Sequence, residues 1–391
     1  TTGVCVPEKH YMVDITERVA QIRAMVDDGK YFCMNRARQY GKTTTLTALR
    51  KSLTDAYVVV SLDFQGVGDA GFQTEMDFTQ AFCGLIEEEI RAGLVIPDDI
   101  RNQIDEIDRQ SKPAVKLNRL FRTLSEWCAL SKRPIVLIID EVDSATNNQV
   151  FLDFLAQLRK RYLDRTAKGI PAFQSVILAG VTDVKYLKSK IRDEDQHKVN
   201  SPWNIAADFT IDMSLSRGGI ARMLDDYAKE HHVEMDIPAV SGAIHDATAG
   251  YPYLVSKICK MIDEKQPLGQ PDNADKSWTV QRVDAAVNAL LKEDGIPLFE
   301  SLIGKLENYP DLSDAVKSLL MRGESMDYQP YDNAQSQLRM YGFITTKEQK
   351  VVIANRIFES LLYDYYLGRE SSNEFRSSAD SDRMKEDKHL G

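Results

Sequence analysis

The chain has 391 residues, of which 43% are hydrophobic and 28% charged, with a formal net charge of −10 and a pI near 5.3. That length holds two or three domains with sizeable cores. The acidic balance argues against broad electrostatic adhesion to nucleic acid or anionic membranes, and no apolar run approaches the ~20 residues of a membrane span. Five scattered cysteines (Cys5, Cys33, Cys83, Cys128, Cys259) contain no C-x-x-C pair. Their spacing argues against a disulfide framework or a zinc site and for a reducing, cytoplasmic setting.

Residues 1–14 read as extended. Ile15 to Asp28 is expected to be an amphipathic helix with Val19, Ile22 and Val26 on one stripe, ended by Gly29. A short apolar strand at 31–35 then runs into Asn35-Arg-Ala-Arg-Gln-Tyr-Gly-Lys-Thr43 and a helix from Lys42 to about Leu53. This order suits a phosphate-binding loop. Gly41 lets backbone approach an anion, and the first helix amides point at it. Lys42, read as a surface charge, reaches the β- and γ-phosphates, and the Thr43 hydroxyl sits on Mg²⁺. Arg38, Gln39, Tyr40, Gly41, Lys42, Thr43 and Thr44 form the expected nucleotide-binding set. The first glycine of G-x-x-x-x-G-K-[ST] is replaced by Arg36, so a plain helix start preceded by glycine remains open on this motif alone.

Tyr57–Phe64 reads as a second buried strand, with helices expected near 78–92, over the charged 97–111 stretch, and from about 114 to 130. The second chemical motif follows in Pro134-Ile-Val-Leu-Ile-Ile-Asp-Glu-Val-Asp143. Five apolar residues suit a central parallel strand buried on both faces. Asp140 and Glu141 then stand at its C-terminal end, where ligands bind in open α/β sheets. Asp140 is expected to hold Mg²⁺ through water, and Glu141 to polarise the attacking water. A helix near 150–163, a strand at Ser175–Gly180 and a fifth sheet segment at Phe209–Leu215 complete the alternation. The fold class is therefore α/β, a doubly wound, mostly parallel sheet spanning 1–216.

Residues 217–265 change to helices only, a helical lid whose two later helices are joined by Ala249-Gly-Tyr-Pro252. Residues 265–276 read as a linker. From 277 to 368, helices near 280–293, 296–306 and 312–321 precede a short helix Asn333–Tyr341, a β-hairpin and a final helix. This order suits a winged-helix-like module. Ile344, Val351, Ile353, Ile357, Phe358, Leu361 and Leu362 are spaced as its core. Tyr363, Tyr365 and Tyr366 either seal that core or cover a partner. Residues 369–391 read as a disordered tail.

With both motifs in place, the chain resembles the AAA-like ATP-binding proteins of bacteria, near the archaeal-type and STAND branch of P-loop ATPases. The resemblance spans about residues 1–365 and rests on the 35–43 loop, Ile138-Ile-Asp-Glu-Val-Asp143, Ala179-Gly-Val-Thr182 and Ala249-Gly-Tyr-Pro252. It implies a sensor at Thr182, with Asp183 beside it, and nucleotide contact by Gly250 and Pro252. An arginine at position 36 is in keeping with this branch. Where relatives carry a Gly-Arg over the adenine, this chain reads Tyr11-Met-Val-Asp14. Lys42, Glu141 and Thr182 become the expected catalytic group, Thr43 and Asp140 the metal ligands, and ATP with Mg²⁺ the cofactors. The absence of an Asn-Lys-x-Asp guanine motif favours ATP over GTP. Arg36, Arg38 and Arg192 are candidate arginine fingers.

The leading expectation is a slow Mg²⁺-dependent ATPase acting as a conformational switch, with a protein partner or self-association and no membrane contact. The alternatives are an ATP-responsive DNA-binding regulator and a nucleotide-binding scaffold without turnover. Residues 310–369 carry seven Lys/Arg against eight Asp/Glu, and Asn333–Tyr341 offers only Arg339, so nucleic acid is not the favoured partner.

Overall fold

The computed structural model describes Cys5 and residues 8–109, 117–146, 148–182, 184, 202–264, 277–322 and 326–369. Four parallel strands, β1 (Tyr31–Asn35), β2 (Val58–Asp63), β3 (Ile135–Asp140) and β4 (Ser175–Gly180), form one sheet in the order β1-β4-β3-β2. Both faces of β3 and β4 are buried, which is why they read as unbroken apolar runs. Alternate side chains part to opposite sides. Phe32, Met34, Val136, Ile138, Ile177 and Ala179 meet α1 (Thr16–Asp27) and α2 (Lys42–Leu53). Tyr31, Cys33, Leu137, Ile139, Val176 and Leu178 meet α3 (Glu75–Arg91), α4 (Asp98–Asp108), α5 (Leu117–Leu130) and α6 (Gln149–Lys168).

The fifth sheet segment is a correction. Residues 209–215 run beside β1 but form no strand; the β-pairing seen among the described residues is a parallel bridge just before them, Phe32 to Ala207, with the Ala207 amide donating to Tyr31 O at 2.8 Å. Arginine side chains take the carbonyls that a ladder would use. Arg36 donates to Ile211 O at 2.6 Å, and Arg18 donates to Asp212 O at 3.2 Å and Ser214 O at 2.7 Å.

Helices follow: α7 (Arg217–His231), α8 (Ile237–Thr248), α9 (Pro252–Glu264), α10 (Val280–Leu291), α11 (Pro297–Asn308), α12 (Pro310–Arg322) and α13 (Asn333–Tyr341). Local chemistry sets several starts. Asp236, Thr279 and Asp332 cap α8, α10 and α13 by accepting the amides of Ala239, Arg282 and Gln335. A three-stranded antiparallel sheet of β5 (Met326–Asp327), β6 (Ile344–Lys347) and β7 (Lys350–Ile353) has β7 in the middle, and α14 (356–369) ends the described chain. β5 has no sequence signal because it is only two residues long, pairing Met326 with Val351 and Asp327 with Lys350.

Tyr363 and Tyr366 donate to Leu320 O (2.7 Å) and Ser313 O (2.8 Å) on α12, so they seal their own module. One apolar cluster joins α7 through α14. The linker 265–276 and residues 370–391 lie outside the described residues; Arg369 closes α14. No helix among the described residues is long and apolar enough to cross a membrane.

Candidate functional site

The loop between β1 and α2 turns on two left-handed residues, Gln39 (φ 56°) and Gly41 (φ 79°). Gly41 is the N-cap of α2, which leaves the first amides of that helix facing the loop. Lys42 is not a surface charge, as its motif suggested. It is 6% exposed, and its Nζ donates to Arg36 O at 2.9 Å and Ala37 O at 3.1 Å. The carbonyls of Arg36 and Ala37 face inward and take the ammonium, so the loop closes over its own lysine. Burial pushes the ammonium pKa down, while Glu141, Asp143 and Asp140 oppose the shift. Arg38 and Gln39 are exposed, Tyr40 is half-buried, and the Thr44 hydroxyl accepts the Cys5 amide at 3.3 Å.

Across the loop, the Thr43 hydroxyl donates to Asp140 Oδ2 at 3.0 Å, and Asp140 Oδ1 accepts the Glu141 amide at 2.9 Å. Glu141 has left-handed backbone (φ 54°), which swings it off the strand axis. Burial raises the pKa of both carboxyls, with Lys42 opposing. Asp63, paired with Asp140 in register at the end of β2, adds to both shifts. The site therefore gathers the carboxyls of Asp140, Glu141 and Asp63 around the Lys42 ammonium.

Asp143, two residues past Glu141, has a position that the motif alone did not reveal. Its Oδ2 accepts the Val181 amide at 2.6 Å and its Oδ1 the Thr182 amide at 2.7 Å. It thus ties the acidic turn after β3 to the end of β4, where Thr182 sits half-buried. Gly180 makes room for this, since a Cβ there would lie 3.0 Å from Asp143 Oδ2. The recurrence of acid at positions 140, 141 and 143 was the available signal.

The helical half closes the third side. Pro252 stands 3.8 Å from where a Cβ of Gly41 would be, so the 249–252 turn meets the loop. Gly250 faces elsewhere, with its carbonyl accepting the Leu215 amide at 2.8 Å and a Cβ there falling 2.2 Å from Leu215 O. Between them, Tyr251 donates to Arg38 O and stacks edge-on against Tyr40 (4.6 Å) and Phe358 (5.4 Å). At the end of α13, Gly342 (φ 84°) lies so close to the loop that a Cβ would be 2.7 Å from Ala37 Cβ. Arg36 points away from the loop. Its guanidinium engages Ile211 O at 2.6 Å and lies 5.0 Å from the Phe209 ring centre. Asp183 and Arg192 lie outside the described residues.

This constellation can be set beside known proteins. A family model described as "AAA-like domain" matches residues 8–367. The chain belongs to that family. An uncharacterized WD repeat-containing protein of Synechocystis sp. is 26% identical over 288 residues, covering 73% of this chain. This AAA-like chain spans only 22% of the length of that relative. Among solved structures, a Walker-type ATPase of Pyrococcus abyssi is similar at a TM-score of 0.58, with 12% identity, over 90% of this chain and 96% of that one. Cdc6 of Pyrobaculum aerophilum gives 0.42 at 16% identity, over 93% and 95%. The first likeness agrees with the parallel sheet and helical half in giving this AAA-like domain the fold of a P-loop ATPase.

Proposed function

We propose that this domain binds ATP with Mg²⁺ between the N-terminus of α2 and the ends of β3 and β4, and hydrolyses it slowly to ADP and phosphate. The observation that carries this reading is the Thr43 hydroxyl on Asp140 Oδ2 at 3.0 Å, one residue from a lysine held inside the loop. That donor set fits the group. Thr43 and Asp140 place two hard oxygens together for a divalent cation, and α2 presents amides and an ammonium to phosphate. Magnesium would neutralise charge on the phosphates and shape them for in-line attack.

The chain's own residues do the rest. Lys42 exchanges the carbonyls of Arg36 and Ala37 for phosphate oxygens. Glu141, made more basic by burial, orients a water and takes its proton as the oxygen attacks the terminal phosphorus and the bond to the bridging oxygen breaks, releasing ADP. Asp143 fixes the backbone of Thr182, which faces the terminal phosphate. Pro252 packs against the loop from the lid side. ATP and GTP turnover, read as phosphate release by the wild type and by Glu141→Gln, tests this. Equal release by both proteins rejects the assignment of the base.

Residues 1–216, 217–265 and 277–368 are read as core, lid and winged-helix-like module, working in the cytoplasm. The packing of Gly342 on Ala37 and of Tyr251 between Arg38 and Phe358 supports a switch in which nucleotide at the loop changes how the C-terminal module seats. It argues against DNA readout by α13, whose C-terminal end is turned to the loop and whose Arg339 lies 5.0 Å from the Tyr328 ring centre. A protein partner or a second copy of the chain then receives the signal.

A further inference from the structure

Residues 209–215 join the α/β half to the first helix of the helical half, and among the described residues their β-pairing to the sheet is limited to the bridge at Ala207 just before them. What holds them instead is a set of side chains, and one of these comes from the phosphate loop. The Arg36 amide donates to Gly180 O at 3.1 Å, which anchors its main chain to β4. Its guanidinium donates to Ile211 O at 2.6 Å and Asn35 O at 2.8 Å, above the Phe209 ring, and Phe209 itself stacks on Phe32 at 5.8 Å. Its carbonyl accepts Lys42 Nζ. Asp212 lies near both Arg36 and Arg18, and its carboxylate accepts the amide and hydroxyl of Ser214. Further along, Leu215 bonds Gly250, so the same connection continues into the lid turn.

We propose that Arg36 is a positioning residue that couples the phosphate loop to the 209–215 connection, so that nucleotide binding is read at the root of the helical half. The inference rests on the nucleotide reading above. Phosphate draws Lys42 away from the Arg36 and Ala37 carbonyls, and the peptide that carried them relaxes. The guanidinium on that same residue transmits the shift to Ile211, because a planar fork bonded to two carbonyls and stacked on a ring has little freedom of its own. A glycine at position 36, the usual residue of the loop pattern, makes no such connection.

The test is amide hydrogen exchange of the full chain, with and without ATP and Mg²⁺, for wild type, Arg36→Gly, Arg36→Lys and Phe209→Leu. In wild type, nucleotide should slow exchange at 38–45 and alter it at 209–216 by about 2–10-fold, the scale of one hydrogen bond. Arg36→Gly should bind nucleotide with less than about a tenfold loss, since Lys42 and the helix amides still grip phosphate. It should keep the response at 38–45 and lose the response at 209–216. Arg36→Lys should restore part of the response. Phe209→Leu, which leaves the loop intact, should weaken it. A purely structural Arg36 would raise exchange at 209–216 equally in both states and leave the nucleotide difference intact, and that result overturns the coupling alone. No slowing at 38–45 in wild type overturns the nucleotide reading and the coupling with it.

Discussion

The α/β half and the helical half are built on different plans. In the first, the sheet separates two apolar cores, and each flanking helix serves one of them. In the second, every helix from α7 to α14 contributes to one core, and that core includes Ala37 from the phosphate loop. A substitution on one side of the sheet is therefore contained by the sheet. Ala37, Tyr251 and Gly342 bring the loop into contact with the helical half, and Tyr251 reaches Phe358 on the last helix. The loop between β1 and α2 is the seam between the two plans, so the proposed nucleotide site adjoins the packing of the C-terminal helices.

The largest expected effect stays within the α/β half. Glu141→Gln should keep ATP affinity and lose about 10²–10⁴-fold in turnover, the usual contribution of a general base. Burial raises the Glu141 pKa, so the base is protonated at a higher pH than an ordinary glutamate. Turnover should fall as pH drops, and at a higher pH than an ordinary glutamate would give, which a pH–rate profile of the wild type checks.

Lys42→Ala should cross the seam. It should cost about 100-fold in ATP affinity by calorimetry, as a charge-assisted grip on phosphate is lost. It should also cost about 1–2 kcal/mol of stability in urea unfolding, because a buried and a partly buried carbonyl lose their donor. An unchanged unfolding midpoint would show that the lysine is not held as the structure has it.

Gly342→Ala sharpens the comparison from the helical side. The position has φ 84°, and the new Cβ would meet Ala37 at 2.7 Å, so about 1–3 kcal/mol of destabilisation is expected together with weakened nucleotide binding. Gly295→Ala is the control. It has a similar φ of 71° but open space around it, so it should cost less stability and leave affinity alone.

Asp143→Asn should lower turnover by about tenfold while sparing affinity, because an amide offers one acceptor oxygen where two backbone N–H groups need partners. The smallest effect concerns nucleic acid. Labelled duplex DNA should show no sub-micromolar binding in fluorescence anisotropy at moderate salt, and Arg339→Ala should change nothing. Salt-sensitive, sub-micromolar binding abolished by that variant would promote the regulator reading.

Much of this protein was legible in its sequence, for identifiable reasons. Strand runs at 31–35, 135–139 and 175–180 are buried on both faces, so apolar composition alone marks them. Gly41, Lys42 and Thr43 at a helix start, with acid at a strand end, are local patterns whose chemistry demands those residue types. Helix ends agreed where a cap or a left-handed residue sits in the chain, as at Asp332 and Gly342. What tertiary structure alone decided depends on contacts far apart in sequence. Residues 209–215 have strand composition, but Arg36 and Arg18 take the carbonyls that a ladder would need. Lys42 reads as a free charge and is buried, because the loop's own carbonyls fold over it. Tyr251 reads as part of the turn between two helices and Gly342 simply follows another, and only the meeting of three distant segments at the loop gives them their places. A sequence pattern records what a residue can do within a turn or two, while burial and long-range partners are settled only when the whole core closes.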